Sequence, residues 1–158
     1  MKYLPLVVLM SLLGTGLGGC AAGPHFTGAS TPPTDRALVY IFRKRTAVGS
    51  AGMFNVYANN KLIVKIKSGG YFIYTAEPGD LVLSHETAFG PLMIVQAGID
   101  RAVDTKGKSL AQLHIEANHV YYVEWKLGGL FKGPTMIQSD ESVALPIIRN
   151  CSLLQPAQ

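Results

Sequence analysis

From residue 37 onward, apolar and polar side chains alternate with a period of two residues, which is the period of a β-strand and not of a helix. Residues 37–43 are apolar on both faces, so they predict a central strand that is buried on both sides. No stretch after Leu17 has the 3.6-residue period that indicates a helix. Further strands are predicted at 53–58, 61–67, 71–75, 81–86, 110–116, 120–126, 135–138 and 143–148.

Turn residues separate these segments. The pair Asn59-Asn60 lies between two predicted strands, and asparagine tolerates the positive φ angles that a two-residue hairpin needs. Pro78 and Gly79 predict a type II turn, because proline fixes φ at the second position and glycine accepts a positive φ at the third. Residues 88–109 are the least regular part; a short strand at 92–95 fits there, and the rest predicts a loop long enough to be functional.

Short strands with frequent turns are typical of β-sandwiches. A chain of 158 residues has the length of one ordinary domain, since a domain takes roughly 100–200 residues. We therefore predict an all-β fold, a single antiparallel β-sandwich of about eight strands over residues 36–150. Residues 151–158 are predicted to be a C-terminal tail.

The first 20 residues carry a targeting pattern. An apolar run at 4–13 is too short for a membrane span of about 20 residues, but it fits the apolar region of a signal peptide. The sequence Leu17-Gly18-Gly19-Cys20 resembles the lipobox of bacterial lipoproteins. This resemblance implies that residues 1–19 are removed as a lipoprotein signal peptide and that Cys20 is acylated, for example with palmitate. An ordinary signal peptide that contains a cysteine by chance is the alternative.

The residues after the lipobox bear on localisation. Ala21 follows Cys20, which resembles the outer-membrane sorting signal of enterobacterial lipoproteins. Two or three acyl chains anchor a protein lastingly, whereas a single chain is marginal. Residues 20–35 are rich in Gly, Pro and Thr and predict a flexible tether that lets the domain stand off the membrane. The expected location is therefore the cell envelope, lipid-anchored at the outer membrane and facing the periplasm.

Composition narrows the class of protein further. With 48% hydrophobic and 15% charged residues, the chain is not of the disordered type. Two cysteines exclude a disulfide scaffold and a zinc site of four cysteines. Once Cys20 is acylated, Cys151 is left without a partner in an oxidising compartment. It is expected to be a small buried side chain near the end of the last strand, with an intermolecular disulfide as the alternative.

The basic residues are the more suggestive feature of a chain with a formal net charge of +4. Alternation places the lysines at 61, 65 and 67, together with Ile63, on the face opposite Leu62, Val64 and Ile66. Such a surface suits anionic headgroups or lipopolysaccharide phosphates, but a merely solvated strand face is the favoured interpretation. Nucleic acid is not an expected partner for an exported protein. The candidate anionic-surface patch consists of Arg43, Lys44, Arg45, Lys61, Lys65 and Lys67.

Residues suited to catalysis or metal binding form no established motif. His114, Glu116 and His119 spell H-x-E-x-x-H, but a strand places only His114 and Glu116 on one face, and solvated hairpin residues are the expected interpretation. Ser84 and His85 are adjacent, so they point to opposite faces, which is unsuitable for a catalytic pair. No catalytic residue, metal site or cofactor is therefore predicted, and enzyme activity is not expected.

Several of the strand and turn segments together resemble the bacterial domain-of-unknown-function family 2846, which is found largely in predicted lipoproteins. The stretches that carry the resemblance are 37–43 with 48–50, 56–61, 69–74 with 77–80, and 115–124 with 128–129. The middle hairpins are also similar to PEGA-type modules, which are small prealbumin-like β-sandwiches. The turn Asn118-His119 and the length of the segment 88–109 depart from the family pattern. The resemblance implies no activity, so no functional residue is carried over from it.

These observations predict a lipid-anchored envelope lipoprotein with a non-enzymatic β-sandwich that acts as a binding or scaffold module. The expected partners are the membrane, through the lipid anchor, and an envelope protein. A glycan- or lipopolysaccharide-binding module is the first alternative, for which strand aromatics such as Trp125 would form a sugar platform instead of packing in the core. A small hydrolase is the second alternative.

Overall fold

The computed structural model describes residue 21 and the ranges 23–47, 49–87, 109–128 and 133–157. The predicted signal peptide at 1–19, Cys20, the predicted strand at 92–95 and most of the predicted loop at 88–109 lie outside the described residues. The described helices include none that is long and apolar enough to cross a membrane.

Two β-sheets form the domain, and their described strands number nine. One sheet has the strand order β8-β7-β1-β4-β9 and the other has the order β3-β2-β5-β6. The all-β sandwich predicted from the sequence is confirmed. The elements in chain order are β1 (Ala37–Arg43), β2 (Phe54–Ala58), β3 (Lys61–Ile66), β4 (Gly70–Ala76), β5 (Gly79–Thr87), β6 (Ser109–Ile115), β7 (Val120–Lys126), β8 (Thr135–Ser139), α1 (Glu141–Ile148) and β9 (Ser152–Leu153).

The sandwich is not antiparallel throughout, which corrects one detail of the prediction. In the five-stranded sheet, β1 pairs with β7 in parallel and β4 pairs with β9 in parallel. Neighbouring strands are forced to be antiparallel only where a short hairpin joins them. Between β1 and β7 the chain forms the four strands of the other sheet, so β7 can enter the five-stranded sheet in the same direction as β1.

Strand β1 is the central strand that its two apolar faces predicted, and all seven of its residues are buried. Ala37, Val39 and Ile41 belong to the core between the two sheets. Tyr40 and Phe42 belong to a second cluster, on the opposite face, that includes residues of α1. The domain therefore has three layers, in which the five-stranded sheet is covered on one face by the other sheet and on the other face by the helix.

The helix α1 replaces the strand predicted at 143–148, which was wrong. Asp140 occupies the N-cap position, and Glu141 lies in the first turn, where a carboxylate interacts favourably with the helix dipole. Ala144 and Ile148, four residues apart, are the buried residues of the helix. Two buried positions in eight residues are too few to reveal a 3.6-residue period. The apolar run at 143–148 was therefore equally compatible with a strand that is buried on both faces.

A β-bulge in β3 changes the faces predicted for residues 61–67. The register shifts so that Tyr57 pairs with Leu62, and Ile63 is the extra residue, only 6% exposed. Leu62 is consequently half-buried instead of lying in the core. Lys61 pairs with buried Ala58, whereas Lys65 pairs with Asn55 on the other side of the bulge, so the predicted face of aligned lysines is not formed.

The segment expected to be a flexible tether lies against the domain at several points. The Ala21 N–H donates to the Ser68 carbonyl at 3.2 Å, and Ala21 is 7% exposed. The Leu153 N–H donates to the carbonyl of Pro24 at 2.8 Å. Farther on, the ring of Phe26 packs edge-on against two tyrosine rings of the second cluster. Glycine and proline predict a lack of regular structure in such a segment, but they do not prevent Ala21 from being buried and Phe26 from being half-buried.

The predicted C-terminal tail is a structural part of the domain. Residues 152–157, here called the C-terminal strap, begin with β9 at the edge of the five-stranded sheet. Pro156 then bridges to Val64 on β3, the edge strand of the other sheet. Leu154 is 8% exposed within the core between them. The strap therefore closes one side of the sandwich and, at the same time, holds the N-terminal segment.

Candidate functional site

The connections at one end of the sandwich gather the exposed basic residues. Because β1 and β7 run parallel, both end there, at Arg43 and Lys126, and β4 begins beside them at Gly70. The end of α1 reaches the same place, since the Cys151 thiol donates to the Arg43 carbonyl at 3.7 Å. We call this the basic end. Its exposed or half-exposed cations are Lys44, Arg45, Lys67, Lys126 and Arg149.

Two described carboxylates lie near the basic end, and each has a partner. The Tyr57 hydroxyl donates to Glu86 at 2.7 Å, and Lys126 Nζ lies 3.1 Å from a carboxylate oxygen of Glu124. Glu124 is only 6% exposed. Among the described residues, positive charge therefore dominates the exposed surface of this end.

The opposite end of the sandwich, here called the acidic end, carries most of the described carboxylates. Strand β1 begins there opposite the end of β4, and β5 begins opposite the end of β6. Arg36 is paired with Glu77 at 2.9 Å in an exposed ion pair, so these two charges compensate each other. The carboxylates of this end are Asp35, Glu77, Asp80, Glu116, Asp140 and Glu141.

The candidate patch is therefore divided. Lys44, Arg45 and Lys67 come together at the basic end, and Lys65 lies on β3 near that end. Lys61 lies toward the acidic end, where β3 begins. Arg43 is 2% exposed, so its assignment to a surface patch is corrected.

Sequence reasoning missed Lys126 and Arg149 as members of the basic end. Both are far from residues 43–45 in the chain, and the parallel pairing of β1 with β7 and the position of α1 bring them close. Neither the pairing of β1 with β7 nor the position of α1 has a local signal in the sequence, because no hairpin joins these elements.

Arg43 instead organises the interior of the basic end. Its guanidinium donates to the carbonyl of Gly52 at 2.7 Å and to that of Gly49 at 2.6 Å. It also lies over the rings of Phe54 and Trp125, at 5.2 Å and 4.8 Å from their centroids. Burial lowers the pKa of Arg43 from its usual value, yet arginine stays protonated in proteins. The planar fork thus fixes the loop at 49–52 and replaces water with carbonyl oxygens and aromatic faces.

An open cleft of about 270 Å³ borders this arginine. Its lining includes Lys44 and Lys126 as cations, Glu124 as the counter-charge of Lys126, and Leu127, which is 44% exposed. Because Lys44 and Lys126 line this partly apolar cleft, it suits an anionic group better than a neutral one. The cleft lies within the basic end, and two of the cations of that end, Lys44 and Lys126, line it.

His85 lies next to the aromatic pair in the core. It is 1% exposed, and its ring centroid is 6.1 Å from that of Phe54 and 6.2 Å from that of Trp125. Neither ring nitrogen has a hydrogen-bond partner in the described part of the chain. Desolvation by burial lowers the pKa of His85, so the neutral imidazole is the form that fits the fold.

The burial of His85 predicts that acid destabilises the protein through this residue. A lowered pKa in the folded state means that the unfolded chain takes up the proton first, starting near the usual value of about 6.5. Below that pH, the free energy of unfolding should fall by up to about 1.4 kcal/mol per pH unit until the lowered folded pKa is reached. Urea unfolding at pH 7.5, 6.5 and 5.5 should show a flatter dependence for His85→Leu than for wild type. Exposed His114→Leu is the control, and equal slopes in wild type and His85→Leu would refute this prediction.

The H-x-E-x-x-H residues separate into two pairs at the acidic end. His114 Nδ1 lies 3.0 Å from an oxygen of Asp80, and His119 Nε2 lies 3.7 Å from an oxygen of Glu116. Within the described ranges, no group of three His, Cys, Asp or Glu residues is arranged to hold a metal ion.

The other candidate groups are mostly enclosed. Ser84 is 4% exposed and His85 is 1% exposed, and they lie opposite different residues of β2, Tyr57 and Val56. Trp125 is 1% exposed, and the described phenylalanine, tyrosine and tryptophan side chains are all buried or half-buried. Cys151 is a free thiol, 1% exposed, and burial raises its pKa to about 11, which agrees with its interpretation as a small buried side chain.

A sequence family matches most of the β-sandwich. The family described as protein of unknown function (DUF2846) matches residues 33–134, which is 102 of the 158 residues. The matched range begins before β1 and ends before β8, so the helix α1 and the C-terminal strap follow it. No curated protein and no solved structure matches the chain.

Proposed function

The chain belongs to the family of proteins of unknown function DUF2846, and from that premise we propose that it is a lipid-anchored envelope protein with a non-enzymatic binding or scaffold module. The observation that carries the proposal is the burial of Ala21, the residue directly after the lipobox cysteine, against Ser68 at the basic end. A residue that follows an acylated cysteine stays close to the membrane. A folded domain that begins there with exposed cations is suited to that position.

The groups considered for nucleophilic catalysis are not assembled into a reaction centre among the described residues, and the proposal therefore assigns them no catalytic role. Ser84 and the thiol of Cys151 are buried, and His85 has no acid or nucleophile as a hydrogen-bond partner in the described part of the chain. A nucleophilic catalyst needs a base within hydrogen-bond reach, and none of these groups has that arrangement.

A partner protein or an anionic ligand would use different surfaces. The strap closes the β3 and β9 side of the sandwich, whereas β8 and β6 end the two sheets on the other side. Ile137 on β8 and Val143 on α1 are 46% and 55% exposed there, which favours a protein contact on that side. The cationic cleft favours the alternative of a phosphate-bearing glycolipid such as lipopolysaccharide. A neutral glycan is less favoured, because the described aromatic residues are buried or half-buried.

Replacing the lipobox cysteine tests the anchor. Cys20→Ser should abolish incorporation of radiolabelled palmitate, because serine lacks the thiol that accepts the lipid. We expect the wild type to be labelled and to float with membranes in a sucrose gradient at high salt. The matched control is Cys151→Ser, which keeps the lipobox and should incorporate palmitate like wild type. Equal labelling of wild type and Cys20→Ser would show that Cys20 is not the acylated residue.

The same cells test the scaffold role. Cross-linking of tagged wild-type protein in its own envelope should recover a discrete envelope protein in fixed proportion. Recovery of none would argue against a scaffold and for a lipid or glycolipid ligand.

A further inference from the structure

We propose that the basic end of the sandwich is the face that docks on anionic lipid headgroups, with the acidic end directed away from the membrane. This inference rests on the proposed lipid anchor and adds the orientation of the domain. It differs from a free tether, which would leave the orientation of the domain undetermined. Its consequence is that one end of the protein is reserved for the lipid surface and the other end is presented to the periplasm.

The first step is the position of Ala21, which is fixed to the basic end. Its N–H bonds to the Ser68 carbonyl, and its side chain is part of the core between the sheets. Consecutive Cα atoms are about 3.8 Å apart, so an acylated Cys20 begins within one residue of this point. The stretch at 20–35 therefore provides no spacer between the lipid and the domain.

The second step is that the cations surround the same point. Ser68 accepts a hydrogen bond from the Thr46 N–H at 3.1 Å through its hydroxyl, while its carbonyl holds Ala21. The side chain of Arg45 covers Gly69, since Arg45 Nε lies 3.0 Å from the place where a Cβ would be. Lys44 and Lys67 flank these residues in the chain, so the basic loop and the attachment point are one surface.

The third step is the composition of that surface. The carboxylates of Glu86 and Glu124 are engaged, and the apolar Leu127 is 44% exposed beside Lys126. Cations around an exposed apolar side chain match the chemistry of an anionic headgroup layer. Each near-surface cation contributes roughly a fivefold increase in membrane partition, so several together fix an orientation that the anchor alone leaves open.

The fourth step is the charge of the far end. Six described carboxylates lie at the acidic end, and an anionic membrane repels them. Opposite charge at the two ends of one rigid sandwich gives a dipole. The attraction of one end and the repulsion of the other act in the same sense, so a single orientation follows.

The test compares a label at each end of the acylated protein. In a Cys151→Ser background, one fluorophore is placed at Ala47→Cys, at the basic end, and another at Glu116→Cys, at the acidic end. The proteins are reconstituted in vesicles of phosphatidylcholine with about one third phosphatidylglycerol that carry a headgroup quencher, since an anionic surface of that kind drives orientation. We expect at least threefold stronger quenching at Ala47 than at Glu116.

Charge reversal supplies the matched control. Lys44→Glu should reduce the quenching at Ala47 by at least half, whereas Lys61→Glu, an exposed lysine toward the acidic end, should leave it unchanged. Pure phosphatidylcholine vesicles should likewise reduce the quenching at Ala47 by at least half in the labelled protein that keeps Lys44. Circular dichroism melting of each variant confirms that its fold is kept.

The outcomes separate the two proposals. Protein that floats with vesicles but shows equal quenching at both labels would overturn the orientation and leave the lipid anchor standing. Quenching that is confined to Ala47 but insensitive to Lys44→Glu and to lipid charge would overturn the electrostatic docking. Protein that carries no acyl chain and does not float with vesicles would overturn the proposed function itself.

Discussion

Replacing Arg43 by methionine is expected to lower the free energy of unfolding by about 3 kcal/mol. The guanidinium donates to the carbonyls of Gly49 and Gly52 and lies over two aromatic rings, and methionine supplies no donor for either carbonyl. Methionine does relieve the cost of burying a charge, which keeps the expected loss below the sum of the separate contacts. Urea unfolding followed by the fluorescence of Trp125 measures the difference, since Trp125 is the single tryptophan and touches Arg43.

Two further variants make this prediction specific. Arg43→Lys should lose about half as much stability as Arg43→Met, because an ammonium group keeps the charge but cannot bond both carbonyls in one plane. Arg45→Met is the matched control at an exposed arginine of the same end and should change stability little. If Arg43→Met is as stable as wild type, the loop at 49–52 does not depend on this side chain.

The assignment of Arg43 shows what sequence reasoning could achieve and where it failed. Alternation along β1 places residue 43 on the same side as Ala37, Val39 and Ile41, which form the core. The pattern therefore contained the signal for a buried arginine. It was outweighed by the two basic neighbours and by the usual exposure of arginine at the end of a strand.

Local features of the fold were predictable because neighbouring residues determine them. Asn59 and Asn60 have φ angles of 46° and 65°, as a two-residue hairpin turn requires, and Gly79 has a positive φ of 121° at the start of β5. The helix α1 and the bulge at Ile63 were not predictable in this way. A short amphipathic helix and an extra strand residue depend on what packs against them, which a period of two residues does not reveal.

The basic end was only partly predictable, for a related reason. Lys44 and Arg45 are adjacent in the chain, so their cluster is visible in the sequence. Lys126 joins them through the parallel pairing of distant strands, and Arg149 joins them through the helix. The attachment of Ala21 also depends on a long-range contact, with Ser68. The opposite charges of the two ends therefore emerge only when the register of the strands is known.

Removal of the C-terminal strap is the second change with a large expected effect. A chain that ends at Cys151 lacks Leu154, which is 8% exposed and packs against Gly70. It also leaves the edges of β3 and β4 without the backbone partners that the strap supplies. Loss of one buried leucine costs about 3 kcal/mol, so we expect the melting temperature to fall by roughly 10 °C or more.

The same truncation should release the N-terminal segment. Leu153 donates to Pro24, and Ser152 bridges to His25, so these contacts disappear with the strap. Limited proteolysis should then cut within residues 21–35 faster than in wild type, at a protease concentration that leaves the β-sandwich intact. Leu154→Ala isolates the packing contribution and should lower stability without releasing the segment, while exposed Gln155→Ala is the matched control.

An unchanged rate of cleavage in the truncated protein would mean that Ala21 and Phe26 hold the segment without the strap. A faster rate would make the strap the element that joins the anchored segment to both sheets. In that case, the strap also maintains the orientation proposed for the basic end, because a released segment of 15 residues restores the freedom of a tether. Truncated protein should then lose the difference in quenching between the Ala47 and Glu116 labels while it remains bound to vesicles through its acyl chains.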